Sequence, residues 1–517
     1  MTATGRGRVR GDKKGVRSGM KQLSVLACLA AFAAVCWPVP AHPDAAPIKV
    51  AFGSLSFEPC TLAQEAMAIT VAARCATLRV PEDRAQPGGR QLEIPIAWVP
   101  SSAKRAAPDP VFMLAGGPGQ SALDAFPAVA PAFRNVLRQR DVILVDQRGT
   151  GRASTLACPQ TLEDEHWQST AVVDPAIARD MTRACLAEIK GADPRRYTTN
   201  DYVADLEAAR AALGAAQVNL VGVSYGTRVA LEYLRRHPAQ IRTVVLDSVV
   251  PPTLILGAEH ARNLDAAIDR QFALCAADKV CHERFGSPRD KLDALLARLR
   301  AQPVEVSYLD PLTNERRTDT LTAESVSTVV RLHAYAPQQF AMVPMLLASA
   351  VEGRYEVMMS QARMIEEMLG DMISVGLQLS VSCAEDAPWL RADPADNHTL
   401  LGTSFVDFVL AQCEIWPRGN VPKDFHEPVK ASNPVLLLSG EFDPVTPQRY
   451  GEEVARTLPN SRHFVLRGQG HSVMQVGCTP RLVSDFIERA DAQGLDASCL
   501  DQLIYVPPFT GPYGWEP

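Results

Sequence analysis

Val221-Gly222-Val223-Ser224-Tyr225-Gly226-Thr227 sets a G-x-S-x-G pattern between two segments of different periodicity. Gln217-Val218-Asn219-Leu220 alternates polar and apolar residues like a strand entering a core, and Arg228 to Arg236 has the composition and spacing of a helix. A serine on such a strand–turn–helix junction is held at strained backbone angles, with its hydroxyl exposed above the N-terminus of the following helix. Gly222 and Gly226 leave room for the tight turn and for close packing of helix on strand. The bare pattern arises by chance in long chains. The strand before it and the helix after it make Ser224 a candidate nucleophile on an elbow.

A serine hydroxyl is a weak nucleophile. It needs a base within hydrogen-bond reach, and the base needs a carboxylate that fixes its tautomer and stabilises the imidazolium. On an elbow of this kind the chain order is serine, acid, histidine. Val435 to Gly440 reads as a strand, and Glu441-Phe442-Asp443-Pro444 puts Asp443 in the loop at its carboxyl end. A helix (Gln448 to Thr457) and a strand (His463 to Leu466) follow, and Gly468-Gln469-Gly470-His471-Ser472 then places His471 in the loop after the last strand. Asp443 and His471 are therefore the expected acid and base. Asp247 also ends a strand and is the rival acid. His463 reads as a packed strand residue, and Glu441 points to the other face of an extended run. An oxyanion hole needs two backbone N–H donors. Tyr225, directly after the nucleophile, is expected to supply one. Gly117 of Leu114-Ala115-Gly116-Gly117-Pro118-Gly119 is expected to supply the other, with Gly116 as the alternative.

Residues 76–250 alternate strand-like and helix-like segments: Leu92 to Val99, Val111 to Leu114, Asp141 to Asp146, a helix over Tyr202 to Leu213, the elbow strand and Ile241 to Asp247. This order predicts an α/β fold with a mainly parallel, doubly wound sheet. At Pro251-Pro252 the pattern changes. Residues 253–431 read as mainly helical and carry Met342, Met345, Met358, Met359, Met364, Met368 and Met372, which at helical spacing read as core or cap packing. After Asn433-Pro434 the strand–loop–helix order resumes. The expected organisation is a core in two parts, 42–252 and 432–517, split by a helical lid over 253–431.

The first 41 residues look like an extension and a secretory signal. Met20-Lys21 precedes the apolar run Leu23 to Trp37, and Pro38-Val39-Pro40-Ala41 offers a cleavage site after Ala41. Translation could start at Met1 or at Met20. The chain carries a formal charge of −6; without residues 1–41, which hold seven basic residues and one acidic residue, it carries −12. So acidic a chain is a poor partner for nucleic acid or anionic membranes, and no stable membrane insertion is expected. Of the twelve cysteines, ten follow the signal, an even number that suits disulfides in an exported protein. Sequence does not fix their connectivity. Short loops close most readily, which favours pairing neighbours: 60–75, 158–185, 275–281, 383–413 and 478–499. There is no C-x-x-C pair and no histidine at ligand spacing, so neither a metal nor a cofactor is expected.

Three blocks together resemble the proline iminopeptidase and tripeptidyl aminopeptidase group of α/β-hydrolase serine peptidases: Gly116-Gly117-Pro118-Gly119, Asp146-Gln147-Arg148-Gly149-Thr150-Gly151-Arg152-Ala153-Ser154, and Gly222 to Thr227. Residues 430–510, with Asp443, His471 and the Cys478/Cys499 pair, resemble the C-terminal domain of tripeptidyl aminopeptidases. Ala115 stands where proline iminopeptidases usually have histidine, which fits the exported tripeptidyl branch better. Asp146 and Arg148 are expected to brace loops. The resemblance implies an α/β-hydrolase fold and release of amino acids or short peptides from free N-termini. Such enzymes hold the substrate ammonium with anionic groups, and Glu385 and Asp386 of Ser382-Cys383-Ala384-Glu385-Asp386 are the candidates, partly desolvated and fixed by a Cys383–Cys413 bridge. The same machinery would serve hydrolysis of carboxylic esters or lactones. A non-catalytic binding protein on this scaffold is disfavoured by the complete serine–acid–histidine order.

Overall fold

The computed structural model describes residues 48–64, 68–151, 156–158 and 174–515. The expected extension and signal (1–41), Arg152-Ala153-Ser154 of the second family block and the side chain of Met368 lie outside the described residues. Residues 48–517 form one compact unit.

Ten strands make one sheet in the order β1-β2-β3-β4-β6-β5-β7-β8-β11-β12. They are β1 (Val50–Phe52), β2 (Leu55–Gln64), β3 (Ile69–Pro81), β4 (Gln91–Val99), β5 (Val111–Leu114), β6 (Val142–Val145), β7 (Val218–Val223), β8 (Ile241–Asp247), β11 (Val435–Gly440) and β12 (Ser461–Leu466). From β6 to β12 every neighbour is parallel; β1 to β4 pair antiparallel, and β4 joins the parallel part antiparallel through β6. The central strands are continuous apolar runs, Val-Phe-Met-Leu in β5 and Val-Ile-Leu-Val in β6, buried on both faces as a parallel sheet covered by helices demands. The antiparallel strands alternate instead, with Leu92, Ile94 and Ile96 of β4 turned inward. Two apolar clusters sandwich the sheet. One holds Phe112, Leu220, Leu246 and Leu437, the other Met113, Val221, Val245 and Leu438, so adjacent residues of each strand feed opposite sides.

The chain leaves the sheet after β8 and returns at β11. The intervening segment is mainly helical but not wholly so. It contains a hairpin of β9 (Val304–Leu309) and β10 (Arg316–Leu321), which the expectation of a helical insertion missed. Val306 and Tyr308 of β9 are buried in a third cluster with Leu296, Val326 and Leu347 of the surrounding helices. The strand is short and half covered, so its alternation is local and easily lost among helical neighbours.

The five disulfides join Cys60–Cys75, Cys158–Cys185, Cys275–Cys281, Cys383–Cys413 and Cys478–Cys499. Among the described residues no helix is long and apolar enough to cross a membrane. The last described stretch runs back over the insertion. Tyr505 stacks on Phe442, and Phe509 N donates to Ala341 O at 2.8 Å. Arg284 donates to the Thr510 carbonyl.

Candidate active site

Ser224 sits between β7 and the helix Tyr225–Arg236 with φ +55° and ψ −123°. The turn closes through Thr227 N to Ser224 O at 2.8 Å, and Ser224 N donates to Asp247 O at 2.9 Å. Both elbow glycines are needed. A Cβ on Gly222 would lie 2.4 Å from Gly226 O, and one on Gly226 would lie 2.2 Å from Leu114 O. Tyr225 opens the helix, so its N–H belongs to the set without an acceptor inside the helix. Its side chain turns inward: the hydroxyl lies 2.7 Å from Thr199 Oγ1 and accepts from Gln147 Nε2 at 3.2 Å.

The Gly116–Gly119 loop follows β5 and meets the elbow, where a Cβ on Gly116 would come within 3.2 Å of Ser224 Cβ. Gly117 is exposed, and its N–H has no hydrogen-bond acceptor among the described residues. Gly119 O is held by Ser374 N at 2.9 Å, and Ser374 Oγ donates to Gly149 O at 2.7 Å. Ser374 comes from the insertion and was not anticipated, because a backbone clasp leaves no sequence signature.

Asp443 follows β11 and is buried. It accepts from Val445 N at 2.9 Å, from Thr446 N at 2.8 Å and from Thr446 Oγ1 at 2.8 Å. His471 Nδ1 lies 2.8 Å from its Oδ2 and 3.0 Å from its Oδ1. Burial pushes the Asp443 carboxyl up, but the His471 charge and the hydrogen bonds outweigh it and hold the group below the usual carboxylate range. For His471 burial lowers the affinity for a proton, while Asp443 and, further off, Asp247 more than restore it, so the imidazole is raised. A base fixed through Nδ1 presents Nε2 for proton transfer. Ser224 Oγ and His471 Nε2 are without a hydrogen-bond partner among the described residues, an open geometry common before substrate binds. The insertion also reaches the histidine. His471 N donates to Tyr335 O at 2.8 Å, and the Tyr335 ring meets the imidazole edge-on at 5.2 Å.

The rivals are engaged elsewhere. His463 Nε2 lies 2.9 Å from Ser439 Oγ within the sheet, and Glu441 accepts from Gly468 N at 2.7 Å and from Tyr505 OH at 3.2 Å. Asp247 uses both carboxylate oxygens on backbone N–H groups after the histidine. Asp146 and Arg148 brace loops. Asp146 accepts from Ser121 Oγ and Leu123 N, and Arg148 forks onto Asp205 at 2.7 and 2.8 Å.

Glu385 and Asp386 depart from expectation. They close the helix Val375–Glu385, but their exposure is 0% and 1%, not that of a partly open pair. Glu385 accepts from Thr199 N at 2.6 Å and Thr199 Oγ1 at 2.8 Å, and Asp386 accepts from Arg228 Nη1 and from Leu256 N. Protein donors therefore occupy the carboxylates, and Arg228, on the elbow helix, already supplies the cation. Burial pushes Glu385 up to about 8, against the opposing pull of Arg228. The cause of the departure is an arginine four residues after the nucleophile, whose pairing with Asp386 spacing alone does not reveal.

This chain belongs to the α/β-hydrolase fold family, whose pattern matches residues 109–477. It is 22% identical over 489 residues to the serine protease Hip1 of Mycobacterium tuberculosis, covering 86% of this chain and 91% of that one. Tripeptidyl aminopeptidase of Streptomyces lividans is 29% identical over 197 residues, 35% of this chain and 36% of its own. Carboxylesterase B of M. tuberculosis is 26% identical over 430 residues, 75% of this chain and 78% of its own. The family is thus that of α/β-hydrolases, and these relatives include both peptidases and an esterase.

Proposed function

We propose that the protein is an exported serine aminopeptidase that releases amino acids or short peptides from free N-termini through an acyl-enzyme. The observation that carries the reading is the His471–Asp443 pair, buried and hydrogen-bonded, on the loops that flank the Ser224 elbow at the same edge of the sheet. Ser224 attacks the scissile carbonyl as His471 takes its proton. Tyr225 N–H and Gly117 N–H receive the developing oxyanion. His471 then protonates the leaving amine, and a water activated by the same imidazole releases the acyl group and restores Ser224. Export is supported by the apolar segment Leu23–Trp37 and by five disulfides.

The enclosure of Glu385 and Asp386 favours a second reading, hydrolysis of carboxylic esters, which needs no ammonium anchor. A panel of aminoacyl and tripeptidyl chromogenic amides, each free and N-acetylated, beside short-chain esters, separates the two. Turnover of free-amine amides that is lost on acetylation is the expected result, and ester-only turnover would overturn it. Ser224→Ala should abolish turnover of whichever class is cut. In the same assay Glu385→Gln reports on the carboxylates. A rise in KM confined to free-amine substrates would return the pair to substrate recognition, and equal changes for both series would leave it structural.

A further inference from the structure

Asp247 and Ser248 lie where β8 ends, one strand from the nucleophile and one from the acid. Both are fully buried. Their hydrogen bonds converge on the nucleophile elbow, on strand β11 and on the histidine loop. Asp247 O accepts Ser224 N at 2.9 Å, and Ser248 N donates to Leu438 O of β11 at 2.9 Å. On the histidine side three consecutive amides end on this dipeptide: Ser472 N on Ser248 Oγ at 2.8 Å, Val473 N on Asp247 Oδ1 at 2.9 Å and Met474 N on Asp247 Oδ2 at 2.9 Å. Ser248 and Ser472, hydrogen-bonded to each other, both have positive φ, +61° and +66°. Left-handed backbone at two facing serines persists only where surrounding bonds dictate it.

We propose that Asp247 is a positioning residue that locks the nucleophile elbow and the histidine loop into one body, and that its carboxylate charge supports the His471 imidazolium alongside Asp443. The inference rests on the serine-hydrolase reading of the site. It differs from a role as the triad acid, because both Asp247 oxygens are taken by backbone amides and His471 Nδ1 is taken by Asp443. Among the described residues, the charged groups that act on the Asp247 carboxylate are His471 and Asp443. The elbow and β11 reach this dipeptide through the backbone of Ser224 and Leu438, and His471 itself is faced by Asp443, Asp247 and, from the helix His260–Ala277, His260. Burial raises the Asp247 carboxyl to about 6 against the two amide donors and His471, which leaves it ionised at neutral pH. Its negative charge raises His471, so removing that charge lowers the imidazole's proton affinity and moves the acid limb of activity to lower pH.

The test is the rate at which a fluorophosphonate probe labels Ser224 across pH, in the full chain with its disulfides intact. Asp247→Asn is near-isosteric and keeps the fold checkable by near-ultraviolet circular dichroism. It should label about tenfold more slowly on the plateau. Its acid limb should also fall by about half a pH unit or more. Ser248→Ala removes one loop anchor but no charge, so it should slow labelling with the acid limb unmoved. Wild-type rate and limb in Asp247→Asn would overturn the proposal. So would a slower plateau with an unmoved limb, which would reduce Asp247 to packing. If the wild type is not labelled, or labelling survives Ser224→Ala, the serine-hydrolase reading itself falls, an outcome distinct from both.

Discussion

Glu385 and Asp386 are adjacent in sequence and both face Arg228, yet they carry different electrostatic burdens. Asp386 is the direct ion-pair partner, at 3.0 Å, while Glu385 stands 4.0 Å away and is satisfied by Thr199. One guanidinium compensates one carboxylate, and burial drives Glu385 up to about 8, so it is neutral at pH 7. The sign of the linkage follows. A carboxyl raised in the folded state gives stability that is complete below its unfolded value and is lost as pH rises through about 8. Glu385→Gln, which keeps a neutral group in place, is expected to match the wild type near pH 5 and to be the more stable of the two at pH 7 and above, because its stability does not fall between the unfolded carboxyl value and about 8. Asp386→Asn leaves Arg228 buried without its counter-ion and should cost about 3–5 kcal/mol. Urea midpoints of the two variants between pH 5 and pH 9 check both; equal losses at pH 7 would refute this division. Ser224, Asp443 and His471 could be singled out from the sequence as candidates because chain order and loop position constrain them. The state of Glu385 could not, since it depends on Arg228 and Thr199, 157 and 186 positions away in the chain.

At the scale of elements, the parallel strands β5, β6 and β11 were legible because burial on both faces writes itself as near-unbroken apolar runs, while β7, β8 and β12 carry polar residues and were read from their place in the alternation of strand and helix. The outer strands were harder to read. β2 (Leu-Ser-Phe-Glu-Pro-Cys-Thr-Leu-Ala-Gln) contains Pro59 and buries only Phe57 and Leu62, so its period is faint. Backbone contacts between elements were not legible at all. Ser374 illustrates this: its N–H and hydroxyl tie the insertion to the Gly119 and Gly149 loops. Removing the hydroxyl frees Ser374 from Gly149 O and leaves its N–H as the remaining tie to Gly119, so the clasp on the loop proposed to carry the oxyanion donor Gly117 slackens, which matters most when negative charge develops. Ser374→Ala should therefore lower kcat about three- to tenfold with KM little changed. Steady-state kinetics decide the point, and a raised KM with unchanged kcat would instead place Ser374 in ground-state binding.

For the molecule as a whole, the five disulfides fall in different regions, and the chain lengths they close differ. Cys383–Cys413 spans 30 positions and Cys275–Cys281 only 6, so the former restricts the unfolded chain more. Serine substitution of the 383/413 pair should cost roughly 2–4 kcal/mol, and the 275/281 pair less. Calorimetry on the two double variants reads the order, and a reversed order would mean that native packing, not chain entropy, governs these bridges.

The insertion is sewn to the core on several sides of the candidate site: Ser374 on the Gly119 loop, Tyr335 O on His471 N, and the Asp386–Arg228 pair on the elbow helix. A segment attached in this way cannot swing aside as a rigid flap without breaking these bonds. Displacement of the insertion is therefore coupled to the elbow helix, the Gly119 loop and the histidine loop, so whatever shifts the one shifts the others.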